Sequence, residues 1–541
     1  MNPRNYNIFF NTHTISGIII CALLYVIFFA GSFSFFKDEI AAWQHEASYT
    51  RHQEGFPYET FLDSMDREYG LAGRDIVLYL YPNNLRAGVS LSPSKDSHNE
   101  KAAEAGYFTY DYITGEKKSY EEGYDLAEFL YRLHFLAQLS HLVPFQPGYP
   151  FGYIVAGLVA FLFLFALITG LLVHWDKLVS NFFLFRPWSK AKTMWTDLHT
   201  VLGVLSYPYQ FLLAFTGIIL IVNTVFIAPF TKLLYQGNAD RVYEELGFSA
   251  SAVAEFKNQP LEHVPDISEY IRRTEERWPG AFIKLVSIRN YGDEGMRMAI
   301  QAEADYRNSF AATGVIEYDL QQGEIVREKS PNEGASYTDW LRALVYRLHF
   351  GDYGGYFLKL VYFILGIGGC LVIVSGILIW LVARDKKTVP ARKKKFNFWL
   401  ANTYLSICLT MFPVTALTFI LVKATGVVGQ DAIYRIFFYS WLVLSVYYLM
   451  RKDYNRTNRE TLLLGSVFSF CVPVANGLYS GNWPWVTFVE GATDIFFLDV
   501  VWIGIAAVTY FSYRKARHRR LENIQVGRRI KRTHQEAVPV G

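Results

Sequence analysis

Eight apolar runs, near residues 15–36, 151–174, 201–228, 355–382, 398–422, 432–450, 461–479 and 488–512, decide what this chain can become. Each is about 20 residues or longer, enough to carry a helix through a hydrocarbon core of roughly 30 Å. In lipid only a helix or a closed barrel satisfies its own backbone. With 52% hydrophobic and 19% charged residues among 541, the sequence predicts a membrane protein with soluble parts. Its near-neutral balance of +3 gives no reason to expect a nucleic-acid partner.

Positive charge is gathered in short runs: Lys190 to Lys192, Arg384 to Lys387 with Arg392 to Lys395, Arg451 to Arg459, and Arg514 to Arg532. Such runs stay in the cytoplasm, which gives eight helices with both termini cytoplasmic. The expected order is a first span in 1–36, an external segment 37–150, a second span 151–175, a loop 176–198 and a third span 199–228. A second external segment 229–353, a fourth span 354–382, a basic loop 383–397, four more spans in 398–513 and a basic tail 514–541 complete it. The first run, Ile15 to Phe36, is too long for a signal-peptide core and lacks an A-x-A site, so it reads as a retained helix. Cys21, Cys370, Cys408 and Cys471 all fall in apolar runs without CxxC spacing and read as buried small residues.

The chain repeats itself. Tyr131 Arg132 Leu133 His134 Phe135 recurs letter for letter as Tyr346 Arg347 Leu348 His349 Phe350, each copy ahead of a long apolar run. Tyr110 Asp111 to Gly115 Glu116 matches Tyr318 Asp319 to Gly323 Glu324, a turn between two strands in each external segment. His13 with Gly17 corresponds to His199 with Gly203, and Thr169 Gly170 to Ser375 Gly376. Helix, external α+β module, helix is thus written twice, and four helices without histidine follow.

Related halves bring equivalent residues together across a pseudo-twofold axis, which predicts two histidine pairs. His13 and His199 start their helices near the cytoplasmic surface, and His134 and His349 stand at the outer ends of the second and fourth spans. Facing imidazoles in a helix bundle suit bis-histidine ligation of a b-type haem, which needs no CxxCH, and none occurs. Gly17, Gly203, and deeper Gly366, Gly368 and Gly369, remove bulk where a porphyrin would lie. Arg132 and Arg347 read either as partners of haem propionates or as headgroup anchors. His174 is a spare ligand or an interfacial residue, and His141 shares a face with His134 if that helix continues. His45, His52, His98, His263, His518 and His534 read as solvated surface. Trp188, Trp195, Trp483 and Trp485 suit an interfacial belt. The alternative for the four paired histidines is an interfacial role with satisfied hydrogen bonds. No GxGxxG after a strand and no GxxxxGK[ST] occurs, so electrons must arrive from a separate donor, cytoplasmic or quinol.

The D-x-x-x-G turns, the L-H segments and the [TS]-G-x-L helix ends resemble the PepSY-associated transmembrane proteins of bacteria, over about residues 8 to 385. Within that family the likeness is to iron-regulated inner-membrane ferric-siderophore reductases. The resemblance implies a mainly α-helical polytopic protein of the inner membrane with two PepSY-like periplasmic modules. It also implies two b-type haems, held by His13 with His199 and by His134 with His349, carrying electrons outward to a ferric siderophore or other ferric chelate. Softer ferrous ion is held less tightly by oxygen donors, so reduction releases the metal. Two alternatives come from other directions: a regulatory membrane protein whose PepSY modules restrain a peptidase, and haem electron exchange with the quinone pool. A transporter is disfavoured, because broken midplane helices and a deep carboxylate in the first four spans are not evident.

Overall fold

The computed structural model describes the chain except residues 51–54, 82, 98, 100, 101, 103, 112, 143–149, 184, 188, 190, 237–253, 305–309, 312, 334 and 519–541. His52, His98, His534, Trp188, Lys190 and most of the basic tail therefore lie outside the described residues. Helix α1 (Pro3–Ser34) starts on Asn2, whose side chain accepts from the Asn5 N–H at 2.8 Å, with Pro at the first helical position. Short α2 (Lys37–His45) and α3 (Tyr58–Tyr69) follow, then strands β1 (Ile76–Tyr79), β2 (Arg86–Leu91), β3 (Gly106–Asp111) and β4 (Lys117–Ser119). Next come α4 (Leu126–His134), α5 (Leu139–Leu142), α6 (Phe151–His174), α7 (Ala191–Leu205) and α8 (Tyr207–Leu234). The second half repeats the order with α9 (Ile267–Arg277), β5 (Phe282–Arg289), β6 (Arg297–Glu303), β7 (Thr313–Asp319), β8 (Glu324–Lys329), α10 (Tyr337–Phe350) and α11 (Gly355–Ala383). Helices α12 (Ala391–Thr425), α13 (Gln430–Arg451), α14 (Tyr454–Ser480) and α15 (Thr493–His518) complete the chain.

Among the described residues eight helices are long and apolar enough to cross a membrane: α1, α6, α8, α11, α12, α13, α14 and α15. Seven lie where hydropathy predicts them; the third begins at Tyr207, so His199 and Gly203 stand on the separate helix α7 and not at the start of that span. The two modules between the spans share one sheet. Its order is β4-β3-β2-β1-β5-β6-β7-β8, antiparallel throughout, and the halves meet at β1 and β5 with Leu78 opposite Val286. One face is closed by α3 and α9, which bury Phe61, Met65, Ile267 and Ile271 against Ile76, Leu78, Ile288, Met298, Ile300 and Ile316. The repeated turns are alike. Asp111 accepts from the N–H groups of Ile113 and Thr114, Asp319 from those of Gln321 and Gln322, and Gly115 and Gly323 both adopt φ 72°, a left-handed conformation that glycine takes without strain.

Two expectations about the module ends are corrected. His134 and His349 stand on the separate short helices α4 and α10, not on the spans that follow. Helix α4 stops at Phe135, with Leu136 at φ 59°, and α10 stops at Gly351, with φ 63°. That break also carries His141 away from His134, to 6.1 Å from the Tyr434 ring on α13. His263 is exposed, but His45 is largely enclosed, with its side chain 12% exposed. Arg86 Nη2 donates to His45 Nδ1 at 2.7 Å, and His45 Nε2 donates to Asp125 at 3.1 Å, tying α2 to β2 and to the start of α4.

Helices α12 to α15 dock on this unit through α2 and α1. Trp43 Nε1 and Asn476 Nδ2 donate to the two oxygens of Asp499 at 3.0 and 2.9 Å, Lys423 donates to the Trp43 carbonyl at 2.7 Å, and Ser48 donates to Asp494 at 2.6 Å. Trp502 packs between Phe33 and Phe419, with ring centroids 5.4 and 5.0 Å away. A polar joint in lipid is stable only when its donors and acceptors meet, and Asp499 has both oxygens engaged.

Burial, with Arg86 adding to it, holds His45 below its ordinary value against the opposing pull of Asp125. The folded state therefore binds fewer protons than the unfolded state in that range, and its contribution is complete above the ordinary histidine value and lost as pH falls through it. Hydrogen exchange in Lys37–His45, corrected for intrinsic rates, is expected to rise when pH drops from about 7.5 to about 5.5, across the free-histidine value near 6.5. His45→Gln should flatten that rise, and an unchanged profile in the variant would contradict the assignment.

Candidate functional site

The four repeated histidines form two facing pairs. His13 on α1 and His199 on α7 have ring centroids 6.1 Å apart with planes at 72°. His134 on α4 and His349 on α10 are 6.0 Å apart with planes at 44°. Along α1 the first pair lies at residue 13 and the second beside Ile27 and Gly31, a rise of about 21–27 Å at 1.5 Å per residue. The pairs therefore sit toward opposite faces of the membrane, the second under the sheet.

Each ring is oriented through Nδ1. His13 Nδ1–H donates to the Ala166 carbonyl on α6 at 2.8 Å, and His199 Nδ1–H to the Val372 carbonyl on α11 at 2.9 Å, with Ser375 Oγ at 3.2 Å. On the sheet side His134 Nδ1–H donates to the Ile27 carbonyl on α1 at 2.8 Å. His349 uses Thr216 Oγ1 on α8 at 2.8 Å; that hydroxyl spends its own proton on the Leu212 carbonyl at 2.7 Å, so its oxygen accepts. The tautomer is thereby fixed, and all four Nε2 atoms keep a free lone pair. Burial keeps the sheet-side pair neutral: it holds His134 below its ordinary value and, with His134 alongside, pushes His349 down to about 3.

Glycines make the room. A Cβ at Gly170 would stand 3.0 Å from the His13 ring, one at Gly376 3.3 Å from His199 and one at Gly217 3.3 Å from His349. At Gly31 it would overlap the His134 ring. A Cβ at Gly17 or Gly203 would meet nothing within 4 Å, so those helix faces are open. Gly366 and Gly369 serve another purpose than the one read from sequence. They admit Ser32 and Phe28 of α1, the Phe28 ring lying 2.6 Å from a Cβ built at Gly369, and so set the close crossing of α1 with α11.

Both arginines of the repeated pentapeptide have carboxylate partners within the protein. Arg132 pairs with Glu128 at 2.6 Å and donates to the Tyr153 hydroxyl at 3.0 Å. Arg347 pairs with Glu303 at 2.9 Å and with Asp352. Both ion pairs clamp a histidine helix; the second ties α10 to the sheet. His174 closes α6 one turn beyond Gly170, the glycine under the His13 ring. Gly31, Gly217 and Thr216 escape a reading by residue type. The signal for the glycines is their spacing, since Gly31 and Gly217 stand as far apart in sequence as His13 and His199.

This geometry can hold a metal in one manner. A metal–imidazole nitrogen bond of about 2.0–2.1 Å, with roughly 1.1 Å from nitrogen to ring centroid on each side, needs centroids about 6.3 Å apart. Both pairs meet that within a few tenths of an ångström. Among the described residues no cluster offers three or more His, Cys, Asp or Glu to one ion. Two facing imidazoles alone suit a metal whose remaining ligands arrive with it.

A family model, the PepSY-associated TM region, matches residues 10–383, which include all four histidines. An uncharacterized protein of Pseudomonas aeruginosa is 27% identical over 257 residues, covering 44% of this chain and 60% of the relative. The match thus spans less than two thirds of that relative's length.

Gly31→Ala should drive the His134 ring off the Ile27 carbonyl, at a cost of about 1–3 kcal/mol for the orphaned groups. Gly217→Ala, with its looser contact, should be tolerated. Histidine nitrogen-15 NMR of ligand-free protein reads this: the His134 Nδ1–H resonance is lost or shifted in Gly31→Ala and kept in Gly217→Ala. Equal spectra for the two variants would contradict the packing argument.

Proposed function

The chain belongs to the family of PepSY-associated transmembrane proteins, and from that premise we propose that it is a haem-containing electron-transfer protein which reduces a ferric chelate, ferric siderophores included, on the sheet side of the membrane. The observation that carries this reading is the pair of opposed imidazole couples, each spaced for one metal, each locked in the Nδ1–H tautomer, each cushioned on glycine. In the proposed orientation the basic loops and both termini are cytoplasmic and the sheet is periplasmic in a bacterial inner membrane.

His13 with His199, and His134 with His349, would hold two b-type haems. Bound there, a haem would supply a one-electron couple, with the two histidines of its pair holding it, so a substrate would dock on protein groups. The residues do the rest. The Nδ1 hydrogen bonds aim each Nε2 and raise its basicity. Phe28 and Phe163, with centroids 5.3 Å apart, pack between the two sites and keep water out of the bundle. Tyr131 and Phe350, with rings 6.4 Å apart, lie over the sheet-side pair where α4 and α10 meet. A ferric chelate docking between this floor and the sheet would come close to that pair, and iron reduced to the ferrous state leaves its oxygen donors more readily. The electron donor, cytoplasmic or quinol, would act at the His13–His199 side.

Dithionite-reduced protein, mixed anaerobically with a ferric hydroxamate and a ferrous trap, should reoxidise and yield trapped ferrous iron. His134→Ala and His349→Ala should each remove the same haem and stop that transfer, although the remaining haem is still reduced. Protein that stays reduced with several distinct ferric chelates, yet is quickly oxidised by a quinone, would overturn the reductase reading.

A further inference from the structure

The turn from α11 to α12 holds a cavity of about 640 Å³, lined by Arg384, Val389, Arg392, Lys393, Phe396 and Asn397. It opens where α11 ends at Ala383 and α12 begins at Ala391, on the membrane face opposite the sheet. Three of its six lining residues are cations. Lys394 nearby is paired with Asp385 at 3.2 Å, but among the described residues Arg384, Arg392 and Lys393 have no carboxylate partner. Arg384 is held in place by its contact with Trp380, whose carbonyl it reaches at 3.3 Å and whose ring lies 4.7 Å from the guanidinium.

The start of α12 adds to this field with the sign a helix avoids. A helix N-terminus carries about half a positive charge, so acidic residues stabilise it and basic residues oppose it, by about 0.3–1 kcal/mol each. Here the first turn has no acidic residue, Pro390 offers no side-chain cap, and Arg392 to Lys395 supplies four successive cations. Uncapped N–H groups, unpaired cations and a cavity between them are together complementary to a phosphate. One turn further along α12, Phe396 and Trp399 are 57% and 54% exposed with rings 6.4 Å apart, an apolar wall continuing from the cavity toward the membrane interior. That wall suits an acyl chain and offers nothing to a soluble anion.

We propose that this cavity binds the phosphate headgroup of an anionic phospholipid, with an acyl chain along Phe396 and Trp399. The lipid would neutralise the start of α12 and join α11, the last helix of the matched family region, to the first helix of the appended bundle. The site is independent of the histidine pairs.

The test is thermal melting and native mass spectrometry of the full chain in neutral detergent. Phosphatidylglycerol should raise the melting temperature and survive as a lipid-bound species, and phosphatidylcholine should not. The triple variant Arg384→Gln, Arg392→Gln, Lys393→Gln should lose roughly tenfold or more in phosphatidylglycerol affinity, about 1.4 kcal/mol or more. It should keep the elution volume and lipid-free melting temperature of the parent, since the cations removed repel one another. Lys393→Gln alone should lose part of the affinity, which guards against misfolding of the triple variant. Phosphatidylcholine acting as well as phosphatidylglycerol, or unchanged binding in both variants, would overturn the site. Inorganic phosphate or ATP stabilising the parent as strongly as phosphatidylglycerol would overturn the lipid assignment.

Discussion

Four hydrogen bonds from imidazole Nδ1 atoms, each crossing to a group on another helix, hold the histidine site in register. In a water-poor bundle an orphaned N–H costs about 1–3 kcal/mol, so each ring has a strong reason to stay where its acceptor is. The acceptors come from all four long helices of the repeated unit: Ala166 on α6, Val372 on α11, Ile27 on α1 and Thr216 on α8. Each acceptor stands close in sequence to the glycine under its ring: Gly170, Gly376, Gly31 or Gly217. Hydrogen bond and glycine thus work as one device, and the device fixes helix spacing as much as ring orientation. Helix α1 belongs to both sites, carrying His13 at one end and supporting His134 near the other.

Duplication explains why the parts come in pairs, and the sheet explains why the pairs stay aligned. Pairing β1 with β5 fuses the two modules into one rigid roof, and the Arg347–Glu303 ion pair ties α10 directly to it. On the other half, Arg86, His45 and Asp125 link the sheet to α2 and to the cap of α4. Burial works against the Asp125 charge, yet His45, Arg86 and the Glu128 N–H hold its carboxyl at about 2. The appended helices grip the same α2 through Trp43 and Asp499. The sheet is thereby joined to both the sheet-side histidines and the appended bundle through short side-chain contacts.

How much of this was legible in the sequence follows from the range of the interactions. The eight spans are a local property of hydropathy and are read from it, while the break at Ser206 that sets His199 on its own helix is not, and the four histidines stand out because they repeat. The continuous sheet is not legible, since β1 and β5 come from segments separated by two spans and no local pattern says that edge strands will meet. His45 looks like a solvated module residue because its partners, Arg86 and Asp125, are chosen by tertiary packing. Arg132 and Arg347 look like phosphate or carboxylate donors, which they are by type, but Glu128, Glu303 and Asp352 claim them. His141 fails for a backbone reason: the left-handed turn at Leu136 breaks the helix that would have aligned it with His134.

The most direct measurement of the central claim is low-temperature electron paramagnetic resonance of the oxidised protein. Two imidazoles on one ferric haem enforce a low-spin state, and the angle between ring planes sets its anisotropy. With planes at 72° in the His13–His199 pair and 44° in the His134–His349 pair, two distinct low-spin signals are predicted, the more anisotropic belonging to the former. His349→Ala should remove only the less anisotropic signal. A single signal in haem-replete protein, or a high-spin spectrum at either site, would contradict bis-histidine coordination by these two pairs.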